Sequence, residues 1–219
     1  MQWFTDDFNG FFKDLAKNNN KEWFDRNRDR YEGSVKRPFE AFVAELIKRI
    51  GKLDPAVKIE PREAIFRINK DIRFSKDKTP YKLSATALIS RGGRKDHGDP
   101  GIYFELGPEH VQIYGGSYAP EKEQLQRIRS KIAADPKGFR KLYSAKEFIS
   151  HFGAIQGERN KVLPAEFKPL VAQEPLIANK AFYYNATLPA SMVTDPKLME
   201  VIMAHYKAMR PMNAFLRIS

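Results

Sequence analysis

The hydrophobic pattern changes period twice along the chain. Phe8, Phe11, Phe12 and Leu15 fall at i, i+3, i+4 and i+7, one apolar stripe behind a Thr5 N-cap, and predict a helix. "KNNNKE" breaks that stripe, and Asn20 is placed to cap a second helix carrying Trp23, Phe24, Tyr31 and Val35. Phe39, Phe42, Val43, Leu46, Ile47 and Ile50 continue at helical spacing. Pro38 predicts a kink or restart within the run, and Gly51 and Pro55 end it.

The middle third switches to alternation. From Phe66 to Phe74 the even positions hold Phe66, Ile68, Ile72 and Phe74, and the odd positions hold Arg67, Asn69, Asp71 and Arg73. A two-residue period predicts a strand with one dry and one polar face. "KLSATALIS" alternates likewise, and "IYFELGPEHVQIYGG" predicts a hairpin turning at Gly107 to His110. Short connections between strands predict an antiparallel meander. Helical spacing returns at Leu125, Ile128 and Ile132, and a short helix is expected around Phe139 to Leu142. "AFYYNATLP" reads as a late strand, and Asp195-Pro196 opens a last helix through Leu198, Val201, Ile202 and His205. The expectation is α+β: N-terminal helices, a central antiparallel sheet and C-terminal helices packed on it. The 219 residues read as a single domain, helical over 1–55, sheet over 60–117 and mixed over 118–219.

Composition narrows the chemistry. With no cysteine, disulfides, thiolate catalysis and Cys-based metal sites are excluded, and the simplest expected location is the cytoplasm. The N-terminus lacks a basic n-region and no apolar run spans a bilayer, so neither a signal peptide nor a membrane span is expected. "NAT" at Asn185 matches a glycosylation acceptor by chance on this reading. A net charge of +11 points toward acidic partners.

That charge concentrates in "FRINKDIRFSKDKTPYK", where Arg67, Lys70, Arg73, Lys76, Lys78 and Lys82 surround only Asp71 and Asp77. Arg67 and Arg73 on one strand face would form a fork for phosphate or carboxylate, with Asp71 orienting one of them. Thr79-Pro80 stiffens the corner that carries Lys76, Lys78 and Lys82, and Tyr81 adds a ring suited to a base or sugar. Three readings follow. The first is a binding site for a phosphate-bearing ligand, nucleotide or nucleic acid, built from Arg67, Arg73, Lys76, Lys78, Tyr81 and Lys82. The second is an enzyme on an anionic substrate with Asp71 or Asp77 as general base or Mg²⁺ ligand, since Mg²⁺ needs only one or two carboxylates and a substrate phosphate. The third is a scaffold in which Arg67 and Arg73 are buried and fully paired.

Other motifs carry less. Ser75 to Lys78 spells S-x-x-K, but in strand-and-turn context and without S-D-N or K-T-G it is not the acyl-enzyme motif. The histidines at 97, 110, 151 and 205 have no metal-site spacing; His97 beside Asp96 and Asp99 is the weak exception, and no resident metal is expected. Gly115-Gly116 lacks a dinucleotide fingerprint and reads as a close backbone approach to a neighbour, with the 75–82 corner as a candidate. Arg26 and Arg30 either face a cleft or pair with Asp25 and Asp29. Lys180, Tyr183 and Tyr184 form a second basic-aromatic cluster.

Three segments, "NNNKEWFDRNRDRY", "FRINKDIRFSKDKTPYK" and "GIYFELGPEHVQIYGGSYAPEKEQLQRIR", agree in order and spacing with one family. Over most of the first 135 residues the chain resembles the conserved family known as domain of unknown function 2461. Asn69-Lys70-Asp71 stands where that family's pattern has Tyr-Arg-Asp, which keeps the charge and drops the ring. The resemblance implies a cytosolic α+β domain and brings no activity, substrate or catalytic residue with it.

Overall fold

A computed structural model describes residues 1–96 and 98–218. Helices occupy both ends of the chain, and a four-stranded antiparallel sheet of order β1-β2-β3-β4 lies between them in sequence, as the periodicity predicts. Among the described residues no helix is long and apolar enough to cross a membrane. The chain divides into two compact units: Met1–Arg94, Tyr103–Ile113 and Thr187–Met203 in the first, Lys95–Ile102, Tyr114–Ala186 and Ala204–Ser219 in the second.

In the first unit, α1 (Asp6–Lys17) buries Phe8, Phe11, Phe12 and Leu15 completely. Thr5 sits at the N-cap in extended conformation, but its side chain makes no capping bond. Asn20 does cap α2 (Lys21–Arg26), accepting from the Trp23 amide at 2.9 Å. After α3 (Arg28–Tyr31) comes a π-helical turn, Glu32–Lys36, and then α4 (Arg37–Leu53) with Pro38 in its first turn. Proline donates no N–H, so the helix widens just before it and restarts, which is how the expected discontinuity is realised. Phe39, Phe42, Val43, Leu46 and Ile50 of α4 are buried, and Phe39 and Phe42 pack on Phe104. The short α5 (Pro61–Ala64) precedes β1 (Ala85–Ile89), and β2 (Ile102–Leu106) with β3 (His110–Ser117) forms the predicted hairpin. The Gly107 amide closes that turn on the His110 carbonyl at 3.2 Å.

In the second unit, α6 (Lys122–Ala134) buries Ile128 and Ile132, α7 (Pro136–Tyr143) buries Phe139, and α8 (Lys146–Phe152) buries Phe148 and Phe152. The late strand is real: β4 (Phe182–Pro189) buries Phe182, Tyr184 and Ala186 at alternate positions. The last helix, α9 (Leu198–Leu216), starts two residues past Pro196 and continues through Pro211. Gly115 and Gly116 do allow a close approach, but to β4 and not to the 75–82 corner. A Cβ at Gly115 would sit 2.6 Å from the Tyr184 ring, and one at Gly116 (φ +90°) would sit 2.1 Å from the Phe182 carbonyl oxygen. Tyr184, fully buried, donates to Asn213 Oδ1 at 2.6 Å. That same oxygen accepts from the Gly116 amide at 3.0 Å, and Asn213 Nδ2 donates to the Gly101 carbonyl at 3.1 Å.

Candidate functional site: a cationic hairpin

The segment 65–87 folds back on itself as a long irregular hairpin. Ile65 bridges Ala87 and Asn69 bridges Tyr81, both antiparallel. The three residues between these bridges on one arm therefore face five on the other, and the two extra residues form a bulge at Leu83-Ser84. Backbone bonds from Lys82 to the Ile68 carbonyl and from Lys70 to the Pro80 carbonyl, both 2.8 Å, are the last rungs.

Past Lys70 the predicted strand does not continue. The Asp71 carboxylate accepts from the Arg73 amide at 3.3 Å, and Asp77 accepts from the Thr79 amide at 2.9 Å. Each acid captures the backbone two residues on, a turn-forming bond that competes with ladder pairing. The expected dry face therefore fails at its end: Ile72 is half-buried and Phe74 is 94% exposed.

Side chains brace the loop across its width. Lys70 Nζ donates to Asp77 and to the Thr79 hydroxyl, each at 2.7 Å, and Lys78 Nζ donates to the Ile72 carbonyl at 2.9 Å. Arg73 grips Asp71 with two donors, at 3.0 and 2.7 Å. That grip pulls the Asp71 carboxyl down to about 2, with its bond to the Arg73 amide adding to the effect. Lys70, followed by the Thr79 amide, holds Asp77 well below the carboxylate range.

The loop is anchored where it leaves the last rungs by Asn19, from the "KNNNKE" break between α1 and α2. Tyr81 is in a pair whose own amide and carbonyl point away from the partner arm, and Asn19 meets both. Asn19 Nδ2 donates to the Tyr81 carbonyl at 3.0 Å, and Asn19 Oδ1 accepts the Tyr81 amide at 3.1 Å. The Tyr81 ring stacks on Phe24, centroids 4.1 Å apart and planes 16° from parallel. Tyr81 is 5% exposed, so it is a core residue and offers no face to a base or sugar. The exposed ring of the hairpin is Phe74, which the alternation had placed inside.

The remaining predicted residues divide by position. Arg67 and Lys76 are exposed, with no side-chain hydrogen bond or ion pair among the described residues. Lys82 lies half-buried with its ammonium 5.1 Å from the Phe66 ring centroid, and burial pushes its pKa down. Arg67 is close enough to Lys82 to act in the same direction, while Glu105 opposes it. Thus Arg67 and Lys82 meet on the two arms, and Arg73, Lys76 and Lys78 occupy the tip. Neither Arg67 nor Arg73 is buried, as an internal network requires; the Arg73 side chain keeps 75% of its exposure.

The other candidates resolve into packing. Arg30 pairs with neither Asp25 nor Asp29; it donates to both oxygens of Asp7 and to Asp14 on α1, its guanidinium over the Phe11 ring. Arg26 pairs with Glu22, and Asp25 takes Lys21 and Arg28. Lys180 pairs with Glu158, Tyr183 packs against Tyr118, and Tyr184 is core. His97 lies outside the described residues; Asp99 beside it pairs with Arg217. Among the described residues no group of three or more His, Asp or Glu is arranged to hold a metal ion.

A family model described as "Conserved hypothetical protein (DUF2461)" matches residues 7–215, and the chain belongs to that family. The match runs well beyond the N-terminal segments that carry the resemblance and takes in α6 to α9. No curated protein and no solved structure matches the chain.

Proposed function

We propose that the hairpin 66–82 binds the phosphates of a nucleic acid. The observation that supports this most directly is the charge left after the loop has built itself. Asp71 is taken by Arg73 and Asp77 by Lys70, which leaves Arg67, Lys76, Lys78 and Lys82 on cross-braced backbone with no carboxylate bonded to them. Preorganised cations lose little freedom on binding, so such a loop favours an anion over a mobile lysine-rich turn. Exposure at the tip suits an extended polyanion laid across the surface better than a small ligand, which needs to be enclosed on most sides.

The catalytic alternative has weaker support. A carboxyl held near 2 by Arg73 is a poor general base at neutral pH, and Asp77 is lower still. Both also spend their oxygens on the loop, leaving little to offer Mg²⁺.

Fluorescence anisotropy with a labelled short oligonucleotide, repeated from 50 to 200 mM salt, tests the proposal. Four phosphate contacts to a single strand give a slope of log K against log salt of about −2.8, or roughly 50-fold weaker binding over that range. Arg67→Ala with Lys76→Ala removes two contacts and should flatten the slope by about 1.4. An unchanged slope in that variant would place the binding elsewhere on this basic protein.

A further inference from the structure

The geometry points to a single strand as the ligand of the hairpin, with one unpaired base stacked on Phe74; this rests on the nucleic-acid reading above and adds to it the form of the ligand. Phe74 is 94% exposed, the most exposed aromatic of the core-forming type in the described chain. A phenylalanine in water at a loop tip gains nothing for folding, since its apolar surface stays hydrated. The loop around it is not loosely built: the two Asx turns and the Lys70 and Lys78 braces fix the backbone on both sides of the ring. The ring is thus presented on a stiff mount.

Its neighbours define what it can meet. The Arg73 guanidinium lies 5.8 Å from the Phe74 centroid, held in place by its two bonds to Asp71. Lys76 follows two residues later with no competing partner, and Lys78 is fixed to the Ile72 carbonyl. A flat π surface flanked by cations matches a base with its adjoining phosphates, because every base has a face to stack and every nucleotide a charge to neutralise. A duplex keeps its bases stacked on each other and denies the ring that face. An anionic lipid surface fits less well. The tip offers it one fully exposed ring only, too little apolar surface to bury at a headgroup boundary.

The test measures wild type, Phe74→Ala and Phe74→Trp against four probes: short oligothymidine, an abasic strand of equal length, a duplex of equal length, and phosphatidylserine vesicles. Phe74 is solvent-exposed, so these variants should fold as wild type, which thermal melting checks. Phe74→Ala should bind oligothymidine at least about fivefold more weakly, leave the abasic strand unaffected and keep the salt slope. Phe74→Trp should keep the affinity that Phe74→Ala loses, and the fluorescence it adds to that of Trp3 and Trp23 should be quenched by the strand. Equal binding of strand and duplex, or an equal loss for thymidine and abasic strands in Phe74→Ala, overturns the stacking inference and leaves the phosphate site standing. If wild type binds no nucleic acid, the underlying reading fails as well, and binding to vesicles alone would reassign the tip to lipid.

Discussion

Replacing Asn19 by alanine asks whether one side chain sets the base of the loop. Asn19 supplies both partners of the Tyr81 backbone, at 3.0 and 3.1 Å, and Tyr81 is almost wholly buried. Each bond contributes about 1 kcal/mol net, and each group left dry and unpaired costs about 1–3 kcal/mol. Asn19 itself is half-buried, so water can reach part of the vacated space. The expected loss is therefore about 2–4 kcal/mol, enough to lower a urea midpoint by about 1 M. Asn19→Asp keeps the acceptor for the amide but sets a carboxylate oxygen against the Tyr81 carbonyl, so it should destabilise at least as much. Urea unfolding gives the energy, and hydrogen exchange at the Tyr81 amide gives the location. A stability change under about 0.5 kcal/mol with Tyr81 exchange unchanged would refute the anchoring role. Because a loosened base frees the cations above it, oligonucleotide affinity should fall too, although Asn19 carries no charge.

Further expectations concern the acids and the second unit. Asp71 has a folded-state pKa of about 2, below its ordinary value of 3.8, so its contribution is intact above about pH 4 and is lost as pH falls toward 2. A carboxyl titration followed by NMR should show this, and Arg73→Ala should return Asp71 toward its ordinary range. Asn213→Ala strands the Gly116 amide and the Gly101 carbonyl and leaves the Tyr184 hydroxyl only the Met209 carbonyl at 3.5 Å, so it should cost about 2 kcal/mol or more against about 1 kcal/mol for Tyr184→Phe, read by denaturant unfolding. Gly116→Ala puts a methyl 2.1 Å from a carbonyl oxygen at positive φ, and should abolish soluble expression or lower the melting temperature by many degrees.

Periodicity read the regular elements well because burial enforces it. The α1 stripe, the α4 stripe and the alternation of β2, β3 and β4 each follow from one face being dry. It misread Phe66 to Phe74 because alternation describes side chains, while Asp71 and Asp77 act on backbone amides. Two short-range bonds ended the strand and turned Phe74 outward. Tyr81 looked like a site residue from its charged neighbours in sequence, yet its neighbour in space is Phe24. The anchors were illegible for the same reason. Asn19 to Tyr81, Arg30 to Asp7 and Asp14, and buried Arg129 to the carbonyls of Ile177 and Asn179 all join residues far apart in sequence. The one available signal for Asn19 was three consecutive asparagines where a helix break needs only one or two.

The most direct test of the hairpin as the nucleic-acid site is lysine acetylation footprinting by mass spectrometry, with and without short oligothymidine. A net charge of +11 favours nonspecific association with any polyanion, so the location of protection matters more than its existence. Lys76 and Lys78 should become protected at oligonucleotide concentrations that leave the exposed Lys13 and Lys17 of α1 fully reactive. Protection spread evenly over all exposed lysines, or absent from Lys76 and Lys78, would contradict the account.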